Sequence, residues 1–416
     1  MPPPTKPISQ EELTAKVREF PVIYGASIVG ITSVETLAGG PPTTDLSYVL
    51  EGARSAVTFA VPTDADKTRD YLGKVDRAGH QQDYTKTSII ADGIAAQLAS
   101  FIRQFGHETT AVMQNLVFRN DKPGDLNHRT PDISHRYLAV RGGVGWFGFS
   151  GNVLTPDHGP NVILVSVVTA AELIPTDPLP PEDNYCDDCQ ACNTACPSGF
   201  FRHGKKNKVT VTMGGVDFTY TERRSYDRCS YVCSGCTGLH SSGQWSTWSP
   251  ARFPIPKEDE HLLPIYKKVA FKAWSERPEL PGGGMQSPIT FSKTKRDVTL
   301  TCGNCMHVCH PDKKERERRV KLLQEGGVII QQEDGSLQSV SAEEARAHVA
   351  AMDPEQRALY EPADPESYDP KLYFGVKNHS QYGREGGGAT SLPSETEDLD
   401  AARFGNVKQD DPMIDR

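Results

Sequence analysis

The chain has no run of about 18 apolar residues, so no segment reads as a membrane-spanning helix. Its opening, Met1-Pro-Pro-Pro-Thr-Lys-Pro7, lacks the apolar stretch of a secretory signal and the paired arginines of a twin-arginine leader. A cytoplasmic location is expected. Positive charge is also scarce: 45 Lys and Arg face 54 Asp and Glu, a net charge of −9, and only Lys313-Lys-Glu-Arg-Glu-Arg318-Arg319 concentrates basic residues. Affinity for phosphate backbones needs clustered positive charge, so no nucleic-acid partner is expected. No internal repeat stands out apart from two sets of cysteines.

Other residues are plentiful. The 36 glycines and 31 prolines of this 416-residue chain point to many turns and long irregular segments, and the length accommodates two or three domains. Ten cysteines cluster at C-x2-C spacing, which in an intracellular chain favours metal ligation over disulfides. The first set is Cys186-Asp-Asp-Cys189-Gln-Ala-Cys192-Asn-Thr-Ala-Cys196-Pro197. Its C-x2-C-x2-C-x3-C-P spacing is that of two-cluster ferredoxins, in which three cysteines hold one [4Fe–4S] cube and the fourth reaches another. C-x2-C is also zinc spacing, but four cysteines in this pattern are far more specific than one pair. The second set, Cys302-Gly-Asn-Cys305-Met-His-Val-Cys309-His-Pro311, has three closely spaced cysteines and must borrow. The crossover gives Cys186, Cys189, Cys192 and Cys309 to one cluster, and Cys196, Cys302 and Cys305 to the other. The missing ligand must come from Cys229, Cys233 or Cys236. Cys229 is chosen, leaving Cys233 and Cys236 as buried thiols or a redox pair. Taken together those three have radical S-adenosylmethionine spacing, but Gly235 stands where those enzymes usually carry an aromatic, and using all three would starve the second cube.

Ser9-Gln-Glu-Glu12 is a capping-box pattern, which predicts a helix from there to about Phe20. Strands are expected over Val22 to Val34 (with a turn), Ser55 to Val61, Thr109 to Met113 and Asn161 to Val168. A helix is expected from Thr85, with Ile90, Ile94, Leu98, Ile102 and Phe105 on one face and Gly106 as its stop. Strands alternating with helices indicate an α/β layer for the first part of the chain. Val140 to Phe149 is glycine-dense and must turn. The expected domains are 1–180, then a cysteine domain over 181–320 entered through the proline-rich 174–181, then an extension over 321–416 that becomes polar and acidic. Residues 200–300 read as irregular.

Several stretches resemble the cobalamin-dependent reductive dehalogenases. They are Glu12 to Phe20 with Tyr24-Gly-Ala-Ser-Ile-Val-Gly30, Phe101 to Gly106 with Val112-Met-Gln-Asn115, and Gly143-Val-Gly-Trp-Phe-Gly148 with Thr155-Pro-Asp-His-Gly-Pro160. Epoxyqueuosine reductase belongs to the same superfamily and also carries the G-x-G-W-x-G stretch; both have a cysteine in a context similar to Tyr226-Asp-Arg-Cys229. The resemblance spans roughly residues 10–310 and is placed nearer the dehalogenases. It implies an α+β protein, with a nitroreductase-like α/β core holding base-off cobalamin under a ferredoxin-like domain with two [4Fe–4S] clusters. The implied activity is removal of halide from a small organohalide, with electrons from an external low-potential donor (ferredoxin, flavodoxin or a reductase).

The resemblance also implies roles. Gly143, Gly145, Trp146, Gly148, Phe149, Ser150 and Asn152 would contact the corrin, where missing side chains let backbone approach a flat ring. Tyr84 would donate a proton, with Asn115 beside the corrin. The dehalogenases usually carry Arg or Lys where this chain has Phe149, so the assisting cation must come from Arg119, His128, Arg129, His135 or Arg136, and Arg129 is taken as the third catalytic candidate. The alternative reading is an epoxyqueuosine-reductase-like deoxygenation. Its acid is an Asp ahead of the G-x-G-W loop; the ungapped position here is Arg129, and the nearest acid is Asp132. A ferredoxin-type carrier without corrinoid is the non-enzymatic alternative.

Overall fold

A computed structural model describes residues 8–113, 118–121, 130–201, 207–262, 276–279 and 301–362. The chain divides into two compact units, Met1–Tyr373 and Phe374–Arg416, and every described residue belongs to the first. Helices and strands are mixed, an α+β arrangement.

The Ser9 hydroxyl accepts from the Glu12 N–H at 3.1 Å and starts α1 (Gln10–Ile23), which runs three residues past the expected end. Pro21 removes a donor in its last turn, and Gly25 at φ +105° redirects the chain into β1 (Ile28–Ser33). Then come β2 (Ser55–Pro62), α2 (Ala65–Leu72) and α3 (Arg77–Arg103). α3 begins about two turns before the expected Thr85, because Asp76 caps it by accepting from the Gly79 N–H at 2.7 Å. The apolar spacing missed those turns because they bury Arg77 and His80, not aliphatic residues. Of the expected face, Ile94, Leu98 and Ile102 are buried and Ile90 is exposed. Gly106, at φ +86°, ends the helix as expected. β3 (Thr109–Val112), α4 (His135–Arg141), the two-residue strands β4 (Trp146–Phe147) and β5 (Val153–Leu154), and β6 (Val162–Thr169) complete the first part.

The main sheet has the order β1-β2-β6-β3, and every neighbouring pair is antiparallel. The α/β expectation is corrected here. β2 and β3 do run parallel and are joined by the helical crossover α2–α3, as alternation suggested. β6 lies between them in the opposite sense, paired from Ser55↔Thr169 to Pro62↔Val162. The side chains of Val57, Phe59, Val61, Ile163, Val165 and Val167 meet α1 and α3. Ala56, Ala60, Val162 and Val168 share the opposite core with Leu138, Ala139 and Val140 of α4. β2 and β6 are covered on both faces, which is why they read as continuous apolar runs.

Residues 200–300 are not uniformly irregular. Lys208–Met213 and Val216–Thr221 form a hairpin, β7–β8, turning at Gly214 and Gly215 with φ of +56° and +77°. α5 (Ala191–Thr194), α6 (Tyr226–Cys233) and α7 (Asn304–His307) carry cysteines; α8 (Lys313–Glu325), the hairpin β9–β10 (Val328–Gln331, Leu337–Val340) and α9 (Ala342–Ala351) follow. α2 and the start of α3 pack on α7 and α8, which brings Tyr71 and His80 against His307. Among the described residues no helix is long and apolar enough to cross a membrane.

Candidate functional site

The first cysteine set is wound around its own backbone donors. Asp188 and Gln190 take φ of +54° and +61°, the alternation that turns successive N–H groups toward a common anion-binding hollow. The Phe149 N–H donates to Cys186 Sγ at 3.2 Å. α5 carries Cys192. Cys309 arrives from the end of α7, where its carbonyl accepts from Asn161 Nδ2 at 3.1 Å and Arg319 Nη1 at 3.5 Å. Arg316 of α8 pairs with Asp187 at 2.9 Å. Burial pushes the Cys192 thiol up to about 12, and the adjacent Cys309, Cys186 and Cys189 add to the effect. Burial likewise pushes Cys309 up to about 12, with Cys186 and Cys189 again acting on it. The four cysteines grouped by crossover spacing thus lie in one another's field. Cys189 is exposed.

The second set lies deeper. Burial pushes Cys196 up to about 11, with Cys229 and Cys302 contributing, although the Ser198 hydroxyl 3.1 Å from its sulfur works the other way. Burial raises Cys305 strongly, and Cys196, Cys229, Cys302 and, less, Cys192 add to it. Cys186, Cys192, Cys196, Cys229 and Cys305 of both groups pack against the same Phe149, Phe200 and Phe201 cluster. Cys233, left over in the sequence argument, sits in the second group too: its sulfur is 3.6 Å from Cys229 Sγ and bonds to Cys302. Five thiols surround a site that needs four. Cys302 is lowered to about 7, first by the bond from Cys233 and then by the N–H groups of Asn304 and Gly303, with Lys74 also acting on it. Cys236 is fully buried, and burial holds it protonated.

The cysteine pattern, rather than the spacing of every sulfur, speaks for a cluster, since Cys229 and Cys233 Sγ lie only 3.6 Å apart. Among the described residues no three His, Cys, Asp or Glu side chains converge on a one-ion position. A cube spaces its thiolates more widely than one ion does, and it deprotonates the thiols it binds. The Asn304 amide, between Cys302 and Cys305, is 1% exposed, and neither its oxygen nor its nitrogen has a hydrogen-bond partner. Leaving such a group unpaired costs on the order of 1–3 kcal/mol, and a sulfide or thiolate beside it would satisfy its N–H2 but not its oxygen.

A second buried polar network links this set to α3. Asn161 Nδ2 donates to the carbonyls of Met306 and Cys309, so its Oδ1 accepts from His307 Nδ1 at 3.1 Å. His307 Nε2 is then left to accept from His80 Nε2 at 3.2 Å. Burial lowers His80 to about 4 and holds His307 well below the ordinary histidine value, so both are neutral. The Tyr71 hydroxyl donates to the Cys302 carbonyl at 3.2 Å. Burial brings Lys74 down to about 8.

The glycine loop answers differently. A Cβ on Gly143 would stand 2.3 Å from the Asp177 carbonyl oxygen, and one on Gly145 2.5 Å from that of Leu154; one on Gly148 would meet the Leu154 side chain at 2.8 Å. The space these glycines leave is filled by the chain itself, not open to a flat ring. Trp146 Nε1 donates to the Pro180 carbonyl at 2.8 Å. Ser150 offers its carbonyl to Arg223 and its hydroxyl to the Asn152 N–H, while Asn152 Nδ2 is buried without a hydrogen-bond partner. Phe149 is buried with Phe200 and Phe201. Arg136 donates to the Gly151 carbonyl at 2.7 Å, a second guanidinium fastening the loop.

Tyr84 is the eighth residue of α3, not its start, and packs against the sheet core. Burial pushes its phenol up to about 12. His135 is a core histidine bridging Ser166 Oγ and the Met113 carbonyl; burial lowers it to about 4, so it supplies no cation at neutral pH. Arg119 is taken up by Asp121 and stacks on Tyr48. Asp132 is nearly buried, and that burial raises its carboxyl above the ordinary range although its Oδ1 accepts from the Ile133 N–H at 2.7 Å. Asn115, His128 and Arg129 lie outside the described residues.

No family model matches the chain. Its curated relatives belong to a class, reductases of the superfamily suggested by the motifs. Within it the chain is 34% identical over 116 residues to epoxyqueuosine reductase of Listeria monocytogenes, covering 25% of this chain and 30% of that protein. It is 22% identical over 253 residues to that of Francisella cf. novicida, covering 57% and 63%. It is also 24% identical over 208 residues to tetrachloroethene reductive dehalogenase of Desulfitobacterium hafniense, covering 47% and 34%. The chain thus spans less than two thirds of the length of each of these relatives. The similarity leans toward epoxyqueuosine reductase, which corrects the expected placement nearer the dehalogenases. Among solved structures, an epoxyqueuosine reductase with a modified tRNA stem loop matches at TM-score 0.38 and 16% identity, over 73% of this chain and 68% of that one. A catabolic reductive dehalogenase matches at 0.41 and 15%, over 52% and 29%.

Proposed function

We propose that this chain is a reductase holding two [4Fe–4S] clusters, one on Cys186, Cys189, Cys192 and Cys309, the other on Cys196, Cys302, Cys305 and one of Cys229 or Cys233. The observation that supports this most is the separation of the cysteines into two groups that pack against one cluster of Phe149, Phe200 and Phe201. When bound, the clusters supply single-electron transfer from an external low-potential donor. The chain's own part is to hold the thiolates, to donate the Phe149 N–H to Cys186, and to offer the Asn304 amide at the inner site. The nitroreductase-like core, the ferredoxin-like domain and the corrinoid are proposed from the resemblance, and the filled glycine loop lends the corrinoid no support.

For the reaction we favour an epoxyqueuosine-type reductive deoxygenation, with Asp132 as proton donor. Burial raises the Asp132 carboxyl, the direction a proton donor needs, whereas it pushes the Tyr84 phenol up to about 12. The absence of a cation at Phe149 also weighs against the dehalogenase arrangement. The relatives' substrate makes a tRNA partner a matter for test, against the expectation from net charge. Loaded protein with reduced viologen is offered epoxyqueuosine-modified tRNA and, separately, bromophenols and chloroethenes. The reading expects tRNA reduction that falls about 10²-fold or more in Asp132→Asn and persists in Tyr84→Phe. Halide release without tRNA reduction, abolished by Tyr84→Phe, overturns it.

A further inference from the structure

Lys74 stands two residues past the end of α2, at φ +60°. A left-handed residue just past a helix is where glycine costs nothing and a side chain costs strain. The lysine nevertheless turns inward and is 9% exposed. Its Cγ lies against Gly326 at the end of α8, and its ammonium donates to the Leu72 carbonyl at 3.3 Å and lies 5.8 Å from the Trp248 ring. Among the described residues no carboxylate pairs with it. A buried ammonium without an anion is costly. The Tyr71 hydroxyl, three residues earlier, donates to the Cys302 carbonyl. Trp248, whose ring the ammonium lies near, donates its backbone N–H to the Thr301 carbonyl next to Cys302, so Lys74 stands beside the inner cysteines. A strained backbone and an unpaired cation, both kept at one position, call for an anion that the side chains alone do not supply.

We propose that Lys74 is the counter-charge of the inner cluster and raises its reduction potential above what burial alone would give. This rests on the cluster reading above. Adding an electron to a buried cluster adds negative charge, which a fixed positive charge nearby favours; net charge and exposure are the protein's levers on such potentials. The two clusters then differ in how they are made reducible, the outer one by solvent and the inner one by a lysine.

The test uses the full chain reconstituted anaerobically, as wild type, Lys74→Arg, Lys74→Met and Lys74→Gly. Iron and sulfide are counted, and each cluster's midpoint potential is followed by electron paramagnetic resonance during titration with dithionite and mediators. The expected result is a downward shift for one cluster in Lys74→Met and Lys74→Gly, no shift for the other, and near wild-type behaviour in Lys74→Arg. Lys74→Gly relieves the backbone strain while removing the charge, so a shift there is not a folding defect. Full iron with unchanged potentials in both Met and Gly variants overturns the inference alone. A wild-type chain that takes up no iron overturns the cluster reading and the inference with it.

Discussion

The two cysteine sites are built from similar short motifs and placed in opposite settings. The first is nearer solvent: Cys189 is exposed, and so is the side chain of Asp187, which pairs with the buried Arg316 of α8. The second is enclosed by Tyr71, Lys74, His80, His307 and Trp248, with an unpaired Asn304 amide inside. On the proposed function, the first would meet the external electron donor and the second would pass electrons inward. Motif spacing does not encode this difference. It arises because α2 and the start of α3, more than 200 residues earlier in the chain, bury the Cys302–Cys309 segment through Tyr71 and His80.

The sharpest way to break the comparison is to remove one site at a time. Cys186→Ala and Cys302→Ala should each lower bound iron by about half and abolish a different reduced-state resonance; loss of both signals from either change would mean that the sites do not form independently. The fourth inner ligand comes next. Cys229→Ala and Cys233→Ala tested separately should leave one variant with full iron, and the double variant should lose the inner cluster alone. Full iron in the double variant would remove both residues from consideration.

Two further predictions concern stability. Arg319 is 1% exposed, bonds the carbonyls of His307 and Cys309, and pairs with Glu315 at 2.9 Å. Arg319→Met should cost about 3–5 kcal/mol in denaturant unfolding, since it removes a buried charge that shares Glu315 with Arg69 and takes from the His307 carbonyl its Arg319 donor. A loss under about 1 kcal/mol would mean that α8 does not anchor the Cys309 segment. The smallest effect is that of pH. Burial lowers His80 from 6.5 to about 4, so the unfolded chain binds more protons than the folded one between those values. Its stability contribution is present above pH 6.5 and is lost as pH falls toward 4, by up to about 3 kcal/mol at 1.36 kcal/mol per unit. His80→Gln should flatten the fall in Tm over that window, whereas an unchanged slope would assign it to other groups such as His135.

Much of the cysteine layer was legible because its information is local. C-x2-C-x2-C-x3-C-P places Cys186, Cys189 and Cys192 close in sequence, and in the structure Cys186, Cys189 and Cys309 all act on Cys192. The strands β2 and β6 were legible as long apolar runs. The direction of β6 was not, since periodicity records burial and says nothing of orientation. The β7–β8 hairpin could have been found: Val209, Val211 and Met213 alternate with polar residues before Gly214-Gly215, then Phe218 and Tyr220 continue the alternation. Cys233 was set aside because counting ligands cannot tell which of two thiols on one turn of α6 faces the site. Lys74 and His80 carried no sequence signal, since their importance comes from contact with residues far along the chain.

The most direct measurement is a count of iron, acid-labile sulfide, cobalt and zinc per chain after anaerobic reconstitution with iron, sulfide and cobalamin. The account predicts iron and sulfide for two cubes and no zinc, with cobalt uptake deciding the corrinoid that the filled glycine loop does not support. Zinc held on the cysteines, or iron for a single cluster, would contradict it.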